Sequence, residues 1–233
     1  MKGNLYLIPN LLGGDDTDIV SKTVLDSIQK IKHYIVENER DARRYLIKLK
    51  IKTAIDDLTF FVLDKHDKRQ NLAEFIEPLT RGIDVGLISD AGCPAVADPG
   101  ALIVAEAHKR NIPIFPLVGP SSILLALMAS GLNGQQFSFL GYLPIQQNEK
   151  SKKIKELDKQ IAKDKSTQIF IETPYRNDKL FDELVKSCNK YTKLCIACDI
   201  SLESQFIKTK SIEAWRKSKP NLHKRPTVFL LGS

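Results

Sequence analysis

The sequence predicts an α/β protein of two domains, residues 1–117 around a parallel sheet and residues 118–233 around a mixed sheet. Three observations carry this. Strand-like and helix-like segments alternate through the first half, which is the pattern of a parallel sheet with helices on both faces. The second half holds five strand-like runs with only two long helical segments between them. The chain, 233 residues and 42% hydrophobic, can bury two modest cores.

Taken in order, NLYLIP (4–9) reads as a strand, Val24, Leu25, Ile28 and Ile31 as one helix face, and HYIV (33–36) as a strand. TFFVL (59–63) is the next strand, and Leu72, Phe75, Ile76 and Leu79 form the next helix face. DVGLI, an Ala-rich helix near 100–110 and PIFPLV (113–118) complete the alternation. VGPSSILLALMASG (118–131) is a turn and then a helix apolar nearly all round, hence expected to be buried. FSFLGYL, TQIFIET, LCIACDI, SQFIKT and PTVFLLG are the strands of the second half. Between them Ile154, Leu157 and Ile161 recur at helical spacing in a lysine-rich segment (149–166), whose lysines read as a solvated face that can still contact phosphates.

The net charge of +7 suits an RNA or other polyanionic partner without requiring one. No signal-peptide pattern and no run of about 18 apolar residues occurs, so a cytoplasmic protein without a membrane span is expected. Four cysteines are too few for a disulfide framework. Cys195 and Cys198 form C-x-x-C inside a strand-like run, which favours a structural role over metal or redox chemistry. No metal site is expected. The common P-loop, dinucleotide-binding, zincin and nucleophile-elbow motifs are absent, which disfavours those enzyme classes.

One loop stands out. In DVGLISDAGCPAVADPG (84–100) the strand stops at Ser89 and is followed by two Asp, two Pro and two Gly, far more than a turn needs. Ligands of open α/β sheets sit beyond the carboxyl ends of strands, where this loop lies.

LYLIPNLLGG, ENERDARRYL, LISDAGCPAVADPG, LVGPSSILLALMASGL, FSFLGYLP, IFIETPYR and PTVFLLG occur in an order and spacing that resemble the tetrapyrrole (corrin/porphyrin) methylase superfamily. Within it the chain is most similar to the branch that 2′-O-methylates a cytidine of small-subunit ribosomal RNA. The resemblance spans nearly the whole chain and implies a tetrapyrrole methylase-like fold of two α/β domains, S-adenosylmethionine in the cleft between them, and a homodimer. It also gives the acidic loop a role, against the methionine and ribose parts of the cofactor. Asp90 would supply a carboxylate and Gly92 a close backbone approach, while Pro94 and Pro99 keep the loop ordered. The competing reading of Asp90, from its neighbours Gly and Pro, is a turn or helix cap.

Other cofactor contacts follow from matching positions. Leu12 lies in the first loop, where the residues alone suggest a helix staple. Cys93 stands where the family branch has Thr, so a backbone contact can survive and a hydroxyl contact cannot. Ser121 and Ser122 match a pair that can also cap the next helix. Ile171 and Thr227 match positions around the adenine, although Ile171 also reads as a core strand residue. For the acceptor side, ENERDARR resembles E-D-T-R-x-x-R and keeps Glu37, Arg40 and Arg43, and KHD keeps one histidine of H-E-H-N as His66. Glu37, Arg40 and His66 are therefore candidate catalytic residues, with surface ion pairs or plain solvation as the competing reading.

Departures cluster on the presumed acceptor side. Asn38 and Glu39 replace Asp and Thr, Tyr175 replaces His, CDIS (198–201) replaces R-E-L-T, and KRP (224–226) replaces K-G-E. Two other readings stay open: a methyltransferase of the same fold acting on a small molecule such as a tetrapyrrole, and a cofactor-binding scaffold without acceptor chemistry. The first loop, PNLLGGDD, lacks the G-x-G-x-G-D of tetrapyrrole enzymes.

Overall fold

Successive side chains of a strand point to opposite faces, so a strand buried on both faces is apolar throughout. β1 (Leu5–Ile8) and β4 (Val85–Ile88) have this character, as does β2 (His33–Val36) after its first residue, and with β3 (Thr59–Val62) and β5 (Ile114–Pro116) they form a parallel sheet of order β3-β2-β4-β1-β5. The computed structural model describes residues 1–63 and 71–233, which form two compact units, Met1–Ser121 and Ser122–Ser233.

In the first unit α1 (Lys22–Ile28) and α2 (Glu39–Lys48) cover one face of the sheet, packing on Ile8, Tyr34, Val36 and Ile88. α3 (Leu72–Thr80) and α4 (Gly100–Lys109) cover the other through Leu5, Ile35, Val85 and Leu87. Gly86 makes room between strands: a Cβ there would stand 2.6 Å from Ile8 Cδ1 and 2.9 Å from Tyr34 Cδ1. The expected face through Ile31 is shorter than its pattern. α1 stops at Ile28, and Ile31 is buried from the following turn. The Tyr34 hydroxyl lies 3.2 Å from the carbonyls of both Ile28 and Ile31 and so ties the helix end and the following turn to β2. α2 was legible only as a motif. Its start is fixed by Asn38, whose side chain accepts from the Asp41 N–H at 3.3 Å.

The second unit has a five-stranded mixed sheet, β6 (Phe137–Tyr142), β7 (Thr167–Ile171), β10 (Thr227–Gly232), β8 (Lys193–Cys198) and β9 (Phe206–Ser211) in that order. β6 and β7 are parallel and the other pairs antiparallel. α6 (Gln147–Asp164), α7 (Asn177–Ser187) and the short α8 (Ile212–Trp215) cover one face around Phe170 and Phe229, directly paired residues whose rings stack at 6.1 Å. Burying each such side chain contributes about 1.5–3 kcal/mol.

Three expectations meet the structure here. α5 (Ser122–Ser130) packs on the other face of this sheet but is not buried: Leu124 is 51% and Met128 78% exposed, because only Ala126, Leu127 and Ser130 reach the sheet. Apolarity all round told nothing about how much of the circumference would be covered. Lys150 leaves the solvated lysine face of α6 and is buried against Glu172. Cys195 and Cys198 are both buried in β8, three residues apart and so on opposite faces, which excludes a shared metal or a disulfide between them.

Candidate functional site

In the first sheet Ile8 pairs with Ile88, and Ile88 with Val36, so β1, β4 and β2 end level. Pro9, Ser89 and Glu37 therefore emerge side by side at the carboxyl edge. The chain after β2 leaves toward β3 and the chain after β4 toward β5, which makes the gap between them the point where connections diverge. Glu37 and Asp90 meet there: the Asp90 N–H donates to Glu37 Oε1 at 3.4 Å.

Asn10 ties the first loop to the acidic loop. Its main chain exchanges two hydrogen bonds with Gly92, at 2.9 and 3.2 Å, and its side-chain amide donates to the carbonyls of Ser89 and Asp90 at 3.0 and 3.1 Å. Both main-chain polar groups of Gly92 are thus used within the protein. Gly92 is also left-handed, φ +68°, and a Cβ on it would stand 3.1 Å from Leu12 Cδ2. Farther along, Ala95 and Ala97 lie between the two prolines at φ +67° and +64°, a strained conformation for residues with a Cβ.

The third edge of this site is the turn after β5. Gly119 is required where it packs on Pro9, since a Cβ would fall 2.1 Å from the proline ring. The Cys93 thiol donates to the Pro120 carbonyl at 3.4 Å, and burial raises its pKa, so it is a neutral donor at pH 7. Thiol replaces hydroxyl here while still bonding to the next loop. Leu12, Glu37, Asp90, Gly92 and Cys93 are thereby brought together, with Ser121 one residue beyond Pro120.

Arg40 is exposed on the first turn of α2 and has no ion pair among the described residues. Arg43 is instead structural, bonding Glu39 at 2.8 Å and Asp56 at 3.2 Å over the Phe60 ring. His66 lies outside the described residues. A cavity of about 200 Å³ opens between the first loop and α2, walled by Asn10, Gly14, Arg44, Tyr45, Lys48 and Asp90. Asn10, Arg44 and Lys48 are residues that the sequence motifs do not mark. A side-chain amide directly after Pro9, at a strand end, was the available signal for Asn10.

In the second unit Ser122 begins α5. Ile171 ends β7 opposite Val228, which places it next to Thr227 at one end of the sheet. Thr227 is buried and its hydroxyl donates to the Arg225 carbonyl at 3.0 Å, while Ile171 is half-buried. The segment after Ile171 is locked in place. Glu172 Oε1 accepts from the Thr173 N–H at 2.8 Å and from Arg176 at 2.9 and 2.6 Å, and its Oε2 pairs with Lys150 at 3.2 Å. Burial pushes the Glu172 pKa up, but these donors outweigh it and hold the carboxyl below its ordinary value.

Two departures from the family pattern prove to be one feature. Arg225, from KRP, donates to the carboxylate of Asp199, from CDIS, at 2.8 Å, and that carboxylate also accepts from Ser204. Among the described residues no His, Cys, Asp and Glu cluster could hold a metal ion, and no helix is long and apolar enough to cross a membrane.

Comparison with known proteins gives the family and the fold. The profile described as Tetrapyrrole (Corrin/Porphyrin) Methylases matches residues 12–214. The ribosomal RNA small subunit methyltransferase I of Vibrio cholerae is 33% identical over 174 residues, 74% of this chain and 56% of its own length. That of Halalkalibacterium halodurans is 30% identical over 195 residues, 83% of this chain and 64% of its own length. The chain thus spans 56% and 64% of the length of these two relatives. That of Haemophilus influenzae is 26% identical over 99% of this chain and 79% of its own length. Among solved structures the methyltransferase CobJ superposes with a TM-score of 0.67 at 18% identity, covering 99% of this chain and 94% of its own. Uroporphyrin-III-C-methyltransferase of Thermus thermophilus does so at 0.58 and 16%, covering 100% and 93%. These two share the fold. By its profile match and its relatives, the chain belongs to the tetrapyrrole (corrin/porphyrin) methylase family.

Proposed function

We propose that this protein is an S-adenosylmethionine-dependent methyltransferase that 2′-O-methylates a ribose of small-subunit ribosomal RNA. The observation that carries the reading is the family match over residues 12–214 together with relatives named as ribosomal RNA methyltransferases. The fit of the cofactor rests on the edge formed by Leu12, Asp90, Gly92 and Cys93. There Asp90 presents an exposed carboxylate suited to ribose hydroxyls or an ammonium, next to Gly92, whose lack of a Cβ lets Leu12 pack close. Ser121, Ser122, Ile171 and Thr227 are the remaining candidate contacts, with Ile171 as an apolar wall for the base and main-chain groups near Thr227 selecting its edge.

When bound, the cofactor supplies an electrophilic methyl group on a sulfonium. The protein's task is alignment of an acceptor hydroxyl and removal of its proton. Glu37 holds the Asp90 N–H and so orients the acidic loop; its carboxylate is also the candidate base for the hydroxyl. Arg40, exposed one turn away, suits an RNA phosphate. His66, named only by the family pattern, remains a candidate for the acceptor chemistry. The RNA reading carries with it a cytoplasmic location beside the ribosome. A homodimer would cover the apolar surface at Leu124 and Met128, and light scattering on the purified protein reads it out.

The decisive experiment is mass-spectrometric mapping of ribose methylation in ribosomal RNA from a strain lacking the gene. Loss of one ribose methyl group is expected, and restoration by the wild-type gene. An unchanged map removes this acceptor. A tetrapyrrole whose absorption band shifts on mixing with the purified protein would favour the small-molecule alternative.

A further inference from the structure

Tyr175 is 70% exposed, yet the loop that carries it is held from both sides. On one side is the Glu172 web of Thr173, Arg176 and Lys150. On the other, the Lys224 N–H donates to the Pro174 carbonyl at 3.1 Å and the Asn177 amide to the Arg225 carbonyl at 2.7 Å. The second loop is itself anchored by fully buried Leu222 and by Arg225, which bonds Asp199, Asn221 and Ser204. Two loops far apart in sequence are thus joined, and they present an aromatic cluster. His223 stands edge-on to the Tyr175 ring, with centroids 6.3 Å apart, and Lys224 Nζ lies 5.8 Å from the ring centre. At 70% exposure most of the phenol is open to solvent.

An apolar ring kept open on a rigid support, beside a cation and a second aromatic, matches what an unpaired nucleobase requires. Every base has a π face, stacking tolerates sequence, and the neighbouring positive charge meets the phosphate that follows. Rigid support matters because a ring already held in place loses little entropy on binding. The chain's charge of +7 favours a polyanion over a neutral apolar partner. We infer that Tyr175, with His223 and Lys224, is a platform that stacks one unpaired base of an RNA strand. This rests on the RNA reading above and names a contact for the acceptor strand that is separate from the cofactor residues.

The test is fluorescence-anisotropy titration of a labelled single-stranded RNA of about ten nucleotides, within the span of single-strand sites, with thermal melts alongside. Tyr175→Ala and the bulk-preserving Tyr175→Leu should weaken binding about five- to a hundred-and-fifty-fold, the loss expected for one stacked base. Tyr175→Phe should bind like the parent. Lys224→Ala should lower the slope of log affinity against log salt by about 0.7. All four should bind S-adenosylhomocysteine as the parent does. Parent-like RNA binding by Tyr175→Leu, or equal loss in Tyr175→Phe, overturns the platform, as does a parent that binds no such RNA. If Tyr175-dependent RNA binding coexists with an unchanged ribose methylation map, the acceptor reading falls and the platform stands. If the parent restores the methyl group and Tyr175→Leu binds and methylates equally well, only the platform falls.

Discussion

Asn10 and Gly92 exchange both of their main-chain hydrogen bonds, at 2.9 and 3.2 Å, and so fuse the loop after β1 with the loop after β4. Such a reciprocal pair resembles one rung of an antiparallel ladder set beyond the end of a parallel sheet. Glycine suits position 92 because its φ is +68° and a Cβ there would stand 3.1 Å from Leu12 Cδ2. Gly92→Val should cost about 1–3 kcal/mol, from a β-branched residue in the left-handed region plus contact with Leu12. Chemical denaturation checks this, and a midpoint equal to the parent's would show that the rung can relax.

Asp90 carries an exposed carboxylate on that rung's flank, and its N–H bonds Glu37 through the main chain, so the side chain is not needed for folding. Asp90→Ala should melt like the parent yet bind S-adenosylmethionine about ten- to a hundredfold more weakly, the loss of one charge-assisted hydrogen bond. Calorimetric titration reads both ligands, S-adenosylmethionine and S-adenosylhomocysteine. Unchanged affinity for both would move the cofactor away from this loop.

Asp199 is buried and relies on Arg225 and Ser204. Arg225→Ala leaves a buried carboxylate without its cation and should destabilise by about 3–5 kcal/mol. In a double-mutant cycle with Asp199→Ala the two losses should be non-additive by about 0.5–3 kcal/mol. Strict additivity would mean that the two departures are independent.

Glu172 gives the fold a pH dependence whose sign is fixed by its lowered pKa. Relative to an unfolded value of 4.5, the depressed folded value makes the contribution full above pH 4.5 and lost as pH falls through the folded pKa. Glu172→Gln should therefore be less stable than the parent at pH 7, with the difference shrinking below pH 4.5. Urea midpoints across pH 3 to 7 for both proteins supply the comparison, and a gap that stays constant with pH would show that the Glu172 charge does not matter.

What the chain alone made legible were features set by near neighbours. The short continuous apolar runs LYLI and VGLI, the helix faces of α3 and α6, and the acidic loop past Ile88 are local patterns, and each led to an element in its place. The family pattern named candidate residues on both units. Tertiary structure decided the rest because it depended on partners distant in sequence. An amide after Pro9 marks a strand end, but its partner Asp90, 80 residues later, is set only by the fold. Nothing in the lysine-rich segment marks Lys150 as the one that meets Glu172. The apolarity of α5 could not tell how much of it a sheet would cover, and two departures in separate motifs became one ion pair only when Asp199 and Arg225 came within 2.8 Å. Periodicity reports which face of an element prefers to leave water; only the packed chain determines which polar groups must then find each other there.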